Sequence, residues 1–182
     1  VYNTTLKKIT QTCKKKAEKA SAMLKKLAFT RAPRNFKATI RTLILPALTW
    51  YGAWQKGNKA SLTKVRSATE RAMFDYIAEG RSPSVMWITR LGADLDIEFV
   101  LDWNAVRYEM WKVNRKNKGF AMQDTPEASE GNSQWRFTEV CAKWNWKKYT
   151  EDDSYETENG IIRLGYDGCS SIKSAAVMAW EK

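Results

Sequence analysis

The sequence predicts a mainly α protein: a helical bundle of about five to six helices with a short C-terminal β hairpin. Three observations carry that expectation. Apolar residues recur at three- and four-residue spacing through most of the first 117 positions, the period of a helix with one buried face. Gly, Pro, Asn and Asp fall between those segments, where helices stop and start. After Gly160 the texture changes to two short runs, 161–166 and 175–180, that read as strands. With 43% hydrophobic residues among 182, the chain can bury a real core.

The first helix is expected over residues 3–28, where Leu6, Ile9, Cys13, Ala17, Ala20, Leu24 and Leu27 form one stripe and most lysines fall outside it. Pro33 ends the segment, because the residue before a proline avoids helical angles. A second helix, 34–54, turns Phe36, Ile40, Leu43, Ile44, Leu48 and Tyr51 inward. Pro46 should kink it, lacking an N–H and clashing one turn back. Gly57 is a stop and Asn58 a cap for a third helix, 59–78, with Leu62, Val65, Ala68, Ala72 and Tyr76 inward. Ser82-Pro83 opens a short helix that ends before Gly92. Asp94 or Asp96 caps the next, 97–117, with Phe99, Trp103, Val106, Met110 and Val113 buried. These helices make up a basic domain over residues 1–118. Residues 119–160 read as a linker with one helix at about 133–148, in which 149–160 is acidic and turn-prone; 161–182 is a short β segment.

Composition narrows the chemistry. There is no histidine, so no Ser-His-Asp or Cys-His catalytic set and no His-ligated zinc. Cys13, Cys141 and Cys169 lie far apart and make neither a zinc site nor a disulfide framework, which fits a reducing intracellular compartment. No phosphate-cradling glycine loop is present, and no run of 18 apolar residues that would span a membrane.

The net charge of +11 is unevenly placed. Residues 1–91 hold 19 bases and 4 acids, and residues 92–182 hold 12 bases and 16 acids. A half-chain at +15 calls for an anionic partner, and the expected one is an RNA or DNA duplex held by its phosphates. The candidate contacts are Lys14, Lys15, Lys19, Arg34, Lys37, Arg41, Lys56, Lys59, Lys64 and Arg66, with Trp50, Tyr51 and Trp54 placed among them to stack on a base or sugar. Any single lysine reads equally well as part of a solvated face, and any single aromatic reads better as core. Trp87, Trp103, Trp111, Trp135, Trp144 and Trp146 fall at helical spacing and read mostly as core.

Carboxylates are the remaining catalytic groups. Asp152-Asp153 belongs to an acidic, linker-like stretch. Asp167 ends a strand-like run before Gly168, as the first magnesium ligand of a two-metal nuclease would, although Asp-Gly is also an ordinary turn. No complete active site is legible.

The stretch Arg41-Thr-Leu-Ile-Leu-Pro-Ala-Leu-Thr-Trp-Tyr-Gly-Ala-Trp resembles the thumb of reverse transcriptases from retrotransposons without long terminal repeats. That family carries Pro-x-Leu-x-Tyr-Gly followed by a Trp. Pro46, Leu48, Tyr51 and Gly52 match it, with Trp50 standing as an extra residue before Tyr51. The lysine-rich helix ending Met23-Leu-Lys-Lys-Leu and the segment Leu62-x-x-Val65 through Glu70-Arg71-x-Met73 are similar to the helices before and after it, so the likeness spans roughly residues 10–110. It implies a basic helical element gripping a template–primer duplex, with upstream polymerase domains as partners. The catalytic aspartates and their magnesium would then lie before Val1, so no cofactor is expected in this chain. A start at Val instead of Met is what a piece of a longer protein would show. Ile161–Ser170 is similar to the opening of a ribonuclease H domain, which would make Asp167 its first metal ligand. The other readings left open are a protein-interaction module with a basic docking face and a metal nuclease built on Asp167; a membrane-surface role ranks last.

Overall fold

The structure, a computed structural model, describes residues 15–16, 18–20, 22–26, 36–54, 56–74, 87–120, 132–149 and 152–182. It is mainly helical, with a small three-stranded antiparallel sheet near the C-terminus. Two compact units divide the chain: Val1–Trp50 with Gly57–Val100, and Tyr51–Lys56 with Leu101–Lys182. Among the described residues no helix is long and apolar enough to cross a membrane.

In the first unit, residues 15–16, 18–20 and 22–26 are helical, with Ala20 and Leu24 buried and Lys15, Lys19, Lys25 and Lys26 exposed, as the stripe requires. The second helix begins as α1 (Phe36–Thr39), widens into a π-helical turn (Ile40–Ile44) and resumes as α2 (Leu45–Thr49). Pro46 sits at the start of α2, so the missing N–H falls where a helix can do without one. Upstream, the Leu45 N–H reaches back five residues to the Ile40 carbonyl, the bond that defines a π turn. The expected kink is thus a local widening. It also corrects one facing position: the extra residue per turn slips the register, so Leu45 joins Ile40, Ile44 and Leu48 in the core while Leu43 is exposed.

Asn58 caps α3 (Lys59–Phe74): its Oδ1 accepts the Ser61 N–H at 3.2 Å and its carbonyl accepts the Leu62 N–H at 3.0 Å. Val65 and Ala68 are buried along it. A second π turn (Trp87–Leu91) and a 3-10 turn (Ala93–Leu95) lead to Asp96, whose carboxylate accepts the Glu98 N–H at 2.9 Å at the head of α4 (Ile97–Asn117). Of the two capping candidates, Asp96 is therefore the one used. The N-terminal part of the first helix, the region of Ser82-Pro83 and residues 121–131 lie outside the described residues.

The second unit takes α4 from Leu101 onward, where Leu101, Trp103, Ala105, Val106, Met110 and Val113 are buried. Gly52 packs against it so closely that a Cβ there would fall 2.7 Å from the Leu101 carbonyl oxygen. Next comes α5 (Ser133–Lys143), capped by Asn132, whose Oδ1 accepts the Gln134 N–H at 2.9 Å. It stops at Lys143, short of the expected 148, because Asn145 takes a left-handed conformation (φ 55°) that asparagine tolerates.

Strands β1 (Lys147–Lys148), β2 (Ser154–Thr157) and β3 (Gly160–Arg163) pair antiparallel in that order, with Tyr155 opposite both Lys148 and Ile162. The acidic neighbours of residues 154–157 predict a linker there. The segment forms a strand because Ser154, Tyr155 and Thr157 are buried, and Tyr155 meets Phe137 edge-on at 5.3 Å. The run 161–166 contributes to β3, and a C-terminal hairpin is present, but its other strand is β2 and not the expected run 175–180. The run 175–180 is a correction: it belongs to helix α6 (Cys169–Trp180). Ile172, Ala175 and Ala176 are its buried residues, at the i, i+3, i+4 spacing of a helix face, and two adjacent alanines favour that conformation over a strand.

Candidate nucleic-acid interface

Charge separates the two units. The first holds 18 bases and 7 acids, whereas the second holds 13 of each, so the whole net +11 lies in the first. Several of the first unit's acids are occupied by its own fold. Glu70 is buried and accepts the Trp87 indole N–H at 2.5 Å. Asp96 is buried, 3.3 Å from the Arg66 guanidinium, which also lies 4.9 Å from the centre of the Trp87 ring. Asp94 meets Arg41 at 3.8 Å. Among the described residues, Lys15, Lys19, Lys25, Lys26, Lys59 and Lys64 make no ion pair, and all six are exposed.

The sequence candidates divide accordingly. Lys15 and Lys19 stand on the first helical stretch, and Lys59 and Lys64 stand on α3, each in solvent. Lys37 is exposed on α1, and Arg41 is exposed beside Asp94. Arg66 is a structural residue, held between the Asp96 carboxylate and the Trp87 ring at the entry to α4. Trp50 is exposed and carries the Lys16 ammonium 5.1 Å above its ring. Lys14 and Arg34 lie outside the described residues.

Three further candidates belong to the second unit. Tyr51 is only 5% exposed, so its ring is core and offers no stacking face. With Gly52 wedged against Leu101, the Tyr-Gly pair that carries the thumb resemblance has a packing role in this fold. Lys56 binds Glu139 at 2.8 Å and lies 5.7 Å from the centre of the Trp135 ring, which keeps it in internal contacts. Trp54 is exposed and packs on Tyr108 at 5.3 Å between ring centres.

Asp167 does not sit between two strands. It follows β3 in a turn, where its Oδ2 accepts the Arg163 N–H at 2.6 Å and its own N–H donates to the Arg163 carbonyl at 2.9 Å. A helix, α6, follows in place of the second strand that the ribonuclease H resemblance implies. The carboxylate therefore closes a turn. Among the described residues no three acidic or thiol side chains come together as a metal-binding group.

Sequence reasoning missed Trp111, assigned to the core but 45% exposed. Its neighbours at helical spacing, Tyr108 and Arg115, were the available signal: two aromatics and a cation at i, i+3, i+7 define a face that Met110 and Val113 do not share. No known protein family, curated protein or solved structure matches the chain.

Proposed function

We propose that the first unit binds a nucleic-acid duplex through its phosphates, as a thumb-like module of a reverse-transcriptase-like protein, without a polymerase active site of its own. The observation that supports this most is the confinement of the net +11 to one unit whose exposed lysines are not neutralised by its own acids. A solvated lysine face needs no such asymmetry, and a polyanion gains affinity from each counterion released on contact. The part of the thumb resemblance that lies in this unit, the lysine-rich first helix with Pro46 and Leu48, agrees with that use.

Affinity for an RNA–DNA hybrid duplex measured against salt tests the reading. We expect a steep negative log–log slope. Replacing Lys15, Lys19, Lys59 and Lys64 together with Gln should flatten it by about one unit for each phosphate no longer neutralised, and weaken binding evenly across sequences. A slope near zero for the wild-type chain would overturn the proposal. A shallow slope together with a stably bound acidic protein would replace it with a protein-docking role.

A further inference from the structure

The second unit, neutral as a whole, concentrates exposed rings and cations on one stretch of α4. Trp54 packs on Tyr108 at 5.3 Å between ring centres, and Tyr108 stacks on Trp111 at 5.5 Å with 30° between their planes. The Arg115 guanidinium follows, 5.1 Å from the Trp111 ring and 4.8 Å from the Phe120 ring. The row leaves much of its apolar surface in water: Trp111 is 45% exposed and Phe120 54%. Arg107, Tyr108, Trp111 and Arg115 fall at i, i+1, i+4 and i+8, within an arc of about 100° on the helix. From Arg107 to Lys118 the chain has five bases and a single acid, Glu109, which is buried and held by Lys112 at 3.1 Å.

Exposed aromatic surface alone would suit many partners, but its setting narrows the choice. An apolar peptide would bury the rings and leave Arg107 and Arg115 with nothing to neutralise them. A nucleic-acid duplex would meet the cations, but its bases are already stacked on one another and their faces are closed. A single strand offers both flat bases for the rings and phosphates for the cations between them. We infer that Trp54, Tyr108, Trp111, Arg115 and Phe120 form a stacking platform for unpaired bases of single-stranded nucleic acid, flanked by Arg107, Lys116 and Lys118 as phosphate contacts. This platform lies wholly in the second unit and does not depend on the duplex reading of the first.

The test uses the full chain and three probes: a thymidine oligonucleotide of roughly 12 nucleotides, the same backbone without bases, and a fully paired hairpin. The wild-type chain should bind the oligonucleotide at least tenfold more tightly than the abasic strand, since stacking is what the bases add. Trp111→Ala should cost about tenfold on the oligonucleotide and leave the hairpin and the abasic strand unchanged. Trp111→Phe, which keeps a ring face, should retain most of the affinity. Equal wild-type affinity for the base-containing and abasic strands overturns the platform whether or not the alanine variant folds. A uniform loss on all three probes in Trp111→Ala overturns it too, as does tight binding of a proline-rich peptide in place of the oligonucleotide. Failure of the lysine variants to affect duplex binding would instead bear on the first unit alone.

Discussion

The first unit has 18 bases against 7 acids, whereas the second has 13 of each, and the two treat buried charge differently. Each pins an arginine with an aspartate at α4. In the first, Arg66 is 34% exposed beside a buried Asp96, so water still reaches the cation. In the second, Arg136 is 5% exposed and pairs with an equally buried Asp102, which also accepts Lys143 at 2.7 Å. The second unit thus uses its charges as internal fastenings: Lys56 with Glu139, Lys112 with Glu109 and Lys182 with Glu158 extend the pattern outward. The first keeps a surplus of cations in solvent. Net charge therefore reports binding capacity only after the charges that hold the fold have been set aside.

Removing each aspartate should expose that difference. Asp102→Ala removes the nearer carboxylate from the buried Arg136, whose Nε already has no partner, and leaves it only the longer contact to Glu139 at 3.5 Å; the change should cost about 3 kcal/mol of stability. Asp96→Ala removes a helix cap and a partly solvated pair, and should cost about 1–2 kcal/mol. Denaturant midpoints of the two variants check the ranking. Equal losses would show that solvent access to the arginine does not set the cost.

Such fastenings are where the sequence is least legible. The caps could be read in advance, because Asn58 and Asp96 act on backbone groups two or three residues away. Pro46 announced a distortion for the same reason, though not that a π turn would absorb it. The Asp102–Arg136 pair joins residues 34 apart in sequence, and Trp54 meets Tyr108 across a still longer gap, so no local pattern encodes either. Helix α6 failed to be read for a different reason. Six residues of Ala, Val, Met and Trp satisfy both a buried strand and a buried helix face, and only the full length from Cys169 decides between them. Of the candidate contacts, exposed lysines were legible individually, whereas Trp111 was hidden by the strong tendency of tryptophan to be core.

The second unit should also be the alkali-sensitive one. Burial, with a smaller contribution from the Glu109 charge, pushes the Cys141 thiol from 9.0 up to about 12, and burial likewise raises the Tyr155 phenol. Both groups hold their protons more tightly folded than unfolded. Their contribution is fully present below the unfolded pKa and is lost as pH climbs toward the folded one. For Cys141 the loss should be on the order of 1 kcal/mol by pH 10. Stability curves from pH 8 to 10 should therefore fall, and Cys141→Ala should flatten part of the fall while lowering stability at pH 8. An unchanged slope in that variant would place the titrating group elsewhere.

The smallest effect is the most pointed for the first unit. Lys15, Lys19, Lys59 and Lys64 are exposed and make no ion pair among the described residues, so their ammonium groups contribute no fastening. Changing all four to Gln should shift stability by no more than about 0.5 kcal/mol in either direction, and relief of repulsion at +11 favours a slight gain. The same four changes should weaken duplex binding strongly. If the variant instead melted several degrees lower, the lysines would be holding the fold in the manner of the second unit, and the contrast between the two units would disappear.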